Sequence, residues 1–213
     1  FPHGTYQEML WQVLQEGEGL SAEEAREQRE RIVRLAAAAS EVGDPDPDVR
    51  LSAVSRLIRL RPPDLLDKLI TCLEDESGDV RAAAAEELRL IGDPRAADAL
   101  MRLVDREIAI SRCYAEESGV PIPDTDHKAP LVRMDDASGD EAVVEAARAL
   151  LGMGHPGAAE AVMKLLNSQN PFIREGATEL LGDVGSREAV ERLLVLLDSP
   201  DWRTRQNLSL IHI

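Results

Sequence analysis

Apolar and polar residues along this chain follow a helical rhythm, and the rhythm is itself repeated. Between Gly78 and Leu100 the sequence reads GDVRAAAAEELRLIGDPRAADAL. Val80, Ala84, Leu88 and Ile91 are spaced by three and four, so they share one face of a helix. Gly92 follows, where a helix end favours a residue that tolerates positive φ. Asp93 and Pro94 then read as the cap and first residue of a second helix. That helix runs to about Asp105 and turns Ala97, Leu100, Leu103 and Val104 inward. The pattern predicts helix, tight turn, helix.

Moved against itself by 31 residues, the sequence matches in many columns at once. Arg50, Arg81, Arg174 and Arg205 fall together, as do Ala53, Ala84, Ala146 and Ala177. Leu57, Leu88, Leu150 and Leu181 follow, then a turn column of Gly92, Gly154 and Gly185 in which Arg61 is the exception. In the second helix Leu69, Leu100, Val162 and Leu193 align, and Cys72, Leu103, Leu165 and Leu196 align. One such hairpin cannot bury its apolar face alone, whereas stacked neighbours can. The expected fold is all-α, an α-solenoid (α-α superhelix) of stacked hairpins.

The run Asp-Val-Arg-x-x-Ala-x-x-x-Leu-x-x-x-Gly-Asp-Pro-Arg-Ala resembles the short bacterial HEAT-like repeat of phycobilisome (bilin) lyases. The resemblance covers most of the chain, roughly residues 44–105 and 139–207. It implies the fold firmly and the activity weakly, because such repeats serve lyases, hydroxylases, repair proteins and plain scaffolds.

Three segments depart from the columns. Residues 1–43 read as an N-terminal helical cap: a short amphipathic helix at 6–16, then a longer one opened by a Ser21/Glu24 capping box and running to about Val42. HEAT-like repeats then occupy 44–105 and 140–207, separated by 106–139, an inserted loop or decayed repeat. Gly119 stands where the core leucine belongs, and Pro121, Pro123 and Pro130 break both helices, which favours an insertion. The preceding helix is then expected to run on to about Glu116. At the end of the chain the columns fail over 208–213, LSLIHI, which resembles the translation of a transposase mosaic-end adapter. Those residues are read as non-native, so His212 carries no function and the natural repeats are expected to continue.

Composition narrows the function classes. The formal charge is −16 and the pI about 4.7, a field that repels phosphate backbones, so no nucleic-acid partner is expected. Aromatic residues make up 3%, too few for the stacking faces of HEAT-like DNA glycosylases. Two cysteines, Cys72 and Cys113, show no pairing logic and suit a reducing, cytoplasmic setting. No apolar run approaches the roughly 20 residues that cross a bilayer, so no membrane association is expected. No obligate oligomer is inferred.

Candidate chemistry is sparse. Asp124, Asp126 and His127, with Cys113, Asp135 and Asp136 nearby, are the best metal candidates, yet Asp-Thr-Asp-His has no recognised ligand spacing. The expectation is no metal, no cofactor and no catalytic residue. HEAT-like deoxyhypusine hydroxylases take iron on His-Glu pairs, and this chain has no His-Glu dipeptide. His155 occupies the cap column of Asp93 and is read as structural. The arginine column, with Asp and Asn near the turns, is expected to tie successive layers together by charge-assisted hydrogen bonds.

The second helices offer the remaining surface. One of their columns reads Asp67, Asp98, Glu160 and Glu191, with Arg102 and Lys164 close by. In HEAT-like solenoids this helix lines the concave side, so the resemblance implies an acidic stripe there. The bland reading is a solvated face. The sharper one is a non-enzymatic scaffold that docks a protein or basic peptide. The alternative is a bilin-lyase-like protein that handles a chromophore.

Overall fold

The computed structural model describes residues 21–118, 138–166, 168, 170–184, 194, 198 and 205. All regular structure among them is helical: α1 (Ala22–Glu41), α2 (Pro47–Leu60), α3 (Leu65–Cys72), α4 (Gly78–Ile91), α5 (Ala97–Ser118), α6 (Ser138–Gly152), α7 (Ala158–Leu166) and α8 (Pro171–Val184). Tertiary contacts divide the chain into two compact units, Phe1–Lys68 and Leu69–Ile213. The fold class is all-α, an α-solenoid of helical hairpins.

In the first unit, α1 starts as its sequence dictates. The Ser21 hydroxyl accepts from the Glu24 amide at 3.3 Å, and the Glu24 carboxylate accepts from the Ser21 amide at 2.8 Å. The Ser21 hydroxyl also donates to the Glu24 carboxylate at 2.8 Å. The bond from the Ser21 amide first, and that from the hydroxyl second, stabilise the ionised carboxylate and hold Glu24 below its usual pKa. Ile32, Leu35 and Ala38 form the buried stripe of α1, which packs on α2. Arg56 pairs with Glu41, and the Arg31 guanidinium donates to the Leu60 carbonyl at 2.9 Å. The short helix expected at 6–16 lies outside the described residues.

In the second unit, the leucine and alanine columns are the core. Ala84, Leu88, Leu100, Ala146, Leu150, Leu165 and Ala177 are fully buried. First helices pack on first helices, α4 on α6 and α6 on α8, while α5 packs against α6 and α7. Gly176 in α8 lies so close to α6 that a Cβ there would come within 2.6 Å of Val144 Cγ2. Burying side chains of leucine size contributes roughly 1.5–3 kcal/mol each.

The hairpin turns follow the glycine column. Gly92 and Gly154 take φ of 67° and 65°. Arg61, the exception, takes the same left-handed conformation at φ 49°. Its amide and that of Gly92 both close the helix end, donating to the carbonyls of Leu57 and Leu88 at 2.9 Å. The Asp93 carboxylate caps as expected, accepting from the Arg95 amide at 2.9 Å. The first turn differs from expectation: Pro94–Ala96 is a 3₁₀ turn, and the α-helix begins at Ala97. His155 repeats the Asp93 bond with a different side chain, its Nδ1 accepting from the Gly157 amide at 3.1 Å.

The arginine column reaches main-chain oxygens. Arg50 donates to the carbonyls of Asp44 (2.9 Å) and Pro45 (3.1 Å). Arg81 donates to those of Asp75 (3.0 Å) and Glu76 (2.8 Å), and Arg174 to that of Ser168 (2.9 Å). The acceptors are main-chain oxygens of the turn that leads into the arginine's own helix. Within each turn a side chain folds the backbone: Asp44, Asp75 and Ser168 accept from the amides of Asp46, Ser77 and Asn170.

Candidate functional site

The acidic column sits at helix starts. Asp67, Asp98 and Glu160 all lie in the first turns of their helices, α3, α5 and α7, and all three are exposed. A carboxylate in a first turn complements the positive end of the helix dipole, so this column also has a local structural reason to be acidic. Glu191 lies outside the described residues.

The two neighbouring cations are engaged within the protein. Lys164 on α7 bridges the Asp105 carboxylate of α5 at 2.9 Å and the Glu160 carboxylate one turn before it at 3.1 Å. Those two hydrogen bonds, Asp105 first, hold the ammonium charged and raise its pKa. Arg102 Nε stands 3.8 Å from Glu74 Oε1, and Arg106 Nη1 stands 3.4 Å from Glu74 Oε2. These pairs are largely exposed, so each contributes only about 0–1 kcal/mol. Asp105, Glu74 and Arg106 were not singled out by the 31-residue columns, although Glu74 and Asp105 share one.

The structure therefore brings Glu160 and Lys164 together, and each of Arg102 and Lys164 to an acid outside the column. What it leaves exposed within the second unit is a surface with an acid at the start of each second helix and its cations partly neutralised by other acids. Such a surface can attract a cationic segment electrostatically. Among the described residues no group of three or more His, Cys, Asp or Glu is placed to hold a metal. The candidates Asp124, Asp126 and His127 lie outside the described residues. Among the described residues no helix is long and apolar enough to cross a membrane.

The helical hairpins and their columns agree with a family model described as HEAT repeats, which matches residues 32–112 and 130–210. The chain belongs to the HEAT-repeat family. No curated protein sequence matches this HEAT-repeat chain. Among solved structures it is similar to human deoxyhypusine hydroxylase in complex with glycerol, with 15% identity and a TM-score of 0.30, over 98% of this chain and 95% of that one.

Proposed function

We propose that this HEAT-repeat protein is a non-enzymatic interaction scaffold that docks a basic protein segment on its second-helix face. The observation that supports the reading is the exposed acidic column, Asp98 and Glu160 in the second unit and Asp67 in the first, within a chain of net charge −16. Glu191 belongs to the same column by sequence. Arg102 and Lys164 act beside it by orienting acids, since both are ion-paired. Exposed acids act over about 8 Å at physiological ionic strength, so binding through them is salt-sensitive.

The test is titration of a fluorescent Lys/Arg-rich peptide, with an acidic peptide of equal length as control. The wild type is expected to bind the basic peptide alone. A variant carrying Asp67→Asn, Asp98→Asn, Glu160→Gln and Glu191→Gln is expected to lose at least about tenfold in affinity, the equivalent of about 1.4 kcal/mol. Surface changes of this kind alter stability by no more than about 0.5 kcal/mol each, which circular dichroism verifies. Equal affinity for both peptides, or for both proteins, removes the proposal.

The similarity of residues 79–96 to phycobilisome lyase repeats supports a second reading, in which the protein handles a bilin chromophore. A shift of the bilin visible band on addition of protein is its signature. Metal analysis of the purified protein addresses Asp124, Asp126 and His127 in the same preparation.

A further inference from the structure

We infer that the repeat stack skips one whole period: the hairpin α4/α5 is followed directly by α6/α7, and residues 107–137 are a one-period insertion that adds no layer between them. Two sets of contacts and one helix length carry this. First, α4 packs directly on α6, although their shared columns (Ala84 and Ala146, Leu88 and Leu150) stand two periods apart in sequence. By contrast, α6 and α8 pack in the same way across a single period, Ala146 to Ala177. Arg89 of α4 reaches Glu145 of α6 at 3.0 Å, so no helix stands between the two.

Second, the ion pairs of the second helices count the layers. Glu74, just after α3, pairs with Arg102 of α5. Moved along by one period, the acid becomes Asp105 and the base becomes Arg133. The base that Asp105 meets is Lys164, one further period along. The same acid and base columns are thus paired, with one period of sequence left out. Third, α5 does not stop where its counterparts stop. It has 22 residues, against 8 in α3 and 9 in α7, so its backbone continues past the end of the layer. Each contact lies within the second unit, and none depends on the acidic column docking a partner.

A period-length cut restores the spacing found at the connection from α3 to α4. Joining Arg106 to Ser138 returns Asp105, Asp140 and the α6 core to the positions that Glu74, Gly78 and the α4 core hold. Shortening or lengthening a connection that supplies no layer costs little, because loop entropy grows only slowly with length. Removing a true layer, in contrast, exposes two apolar faces.

The experiment uses the full chain and two excised versions, one lacking residues 107–137 and one lacking 109–139, so that the junction differs while the period removed is the same. Helicity and thermal unfolding are read by circular dichroism. At least one excised chain is expected to unfold cooperatively within about 4 °C of the parent. A further variant with ten Gly/Ser residues added between Pro123 and Asp124 is expected to match the parent as closely. Failure of both excised chains to fold, or a fall of more than about 10 °C in the lengthened chain, overturns the inference.

Discussion

Before α4 the chain turns through Asp75, Glu76 and Ser77, and Arg81 reaches back to donate to the carbonyls of Asp75 and Glu76. In α6 the same column holds Val143, which is fully buried. The turns before α2 and α8 follow the first pattern, with Arg50 and Arg174 on the carbonyls of Asp44 and Ser168. Both kinds of helix start bury the column, Arg81 at 4% exposure and Val143 at 0%. The difference is what the residue holds. An arginine there fastens the connection to the helix that follows, and so fixes how many residues the connection has. A valine packs and leaves the length open. Among the described first helices of the repeats, α2, α4, α6 and α8, the start without the arginine is that of α6, the one preceded by the extra period.

The sharpest attempt to break that contrast is Val143→Arg. If the start of α6 were a latched turn in disguise, a guanidinium would find carbonyls and be tolerated. The contrast predicts the opposite, a charge forced into an apolar site, with a loss of more than about 3 kcal/mol in urea unfolding. The complementary change, Arg81→Met, keeps the packing stem and removes the donors. Two part-buried carbonyls lose a charged partner, and the expected loss is about 1.5–3 kcal/mol. Lysine at the same position should recover only part of it, since one ammonium cannot reproduce the planar fork.

The division between what sequence made legible and what it did not follows from the same chemistry. Leu57, Leu88, Leu150 and Leu181 repeat because each fills an equivalent core position, and all four are at most 1% exposed. Side-chain identity is the message there, so a single sequence carries it. The capping box of Ser21 and Glu24 was legible for the same reason. The arginine latch was half legible: its column is plain, but the acceptors it reaches include main-chain oxygens, which leave no residue signature. Only Asp44, Asp75 and Ser168, six residues before each arginine, mark the turn, and a column of Asp and Ser is a faint signal. The pair of Asp105 and Lys164 could not be found by comparing neighbouring repeats, because one period intervenes. The acidic column was visible, yet its place in the first helical turns gives it a second, local cause that spacing alone does not separate from docking.

The smallest effect tests the other turn of the hairpin, where the contrast is again one exception among repeats. Gly92 and Gly154 adopt positive φ without a Cβ to object, while Arg61 adopts it with one. For a residue with a Cβ the left-handed conformation costs roughly 1–2 kcal/mol, and glycine regains part of that while adding freedom to the unfolded chain. Arg61→Gly is therefore expected to raise stability by up to about 1 kcal/mol, or about 2–4 °C in the melting temperature of a chain this size. Gly92→Ala should lower it by a similar amount, since nothing within 4 Å blocks a methyl there and only the backbone conformation resists. Opposite signs from the two substitutions would show that the turn selects for conformation alone. A loss from Arg61→Gly would mean that the guanidinium secures this turn too, and that arginine fastens both ends of the first repeat.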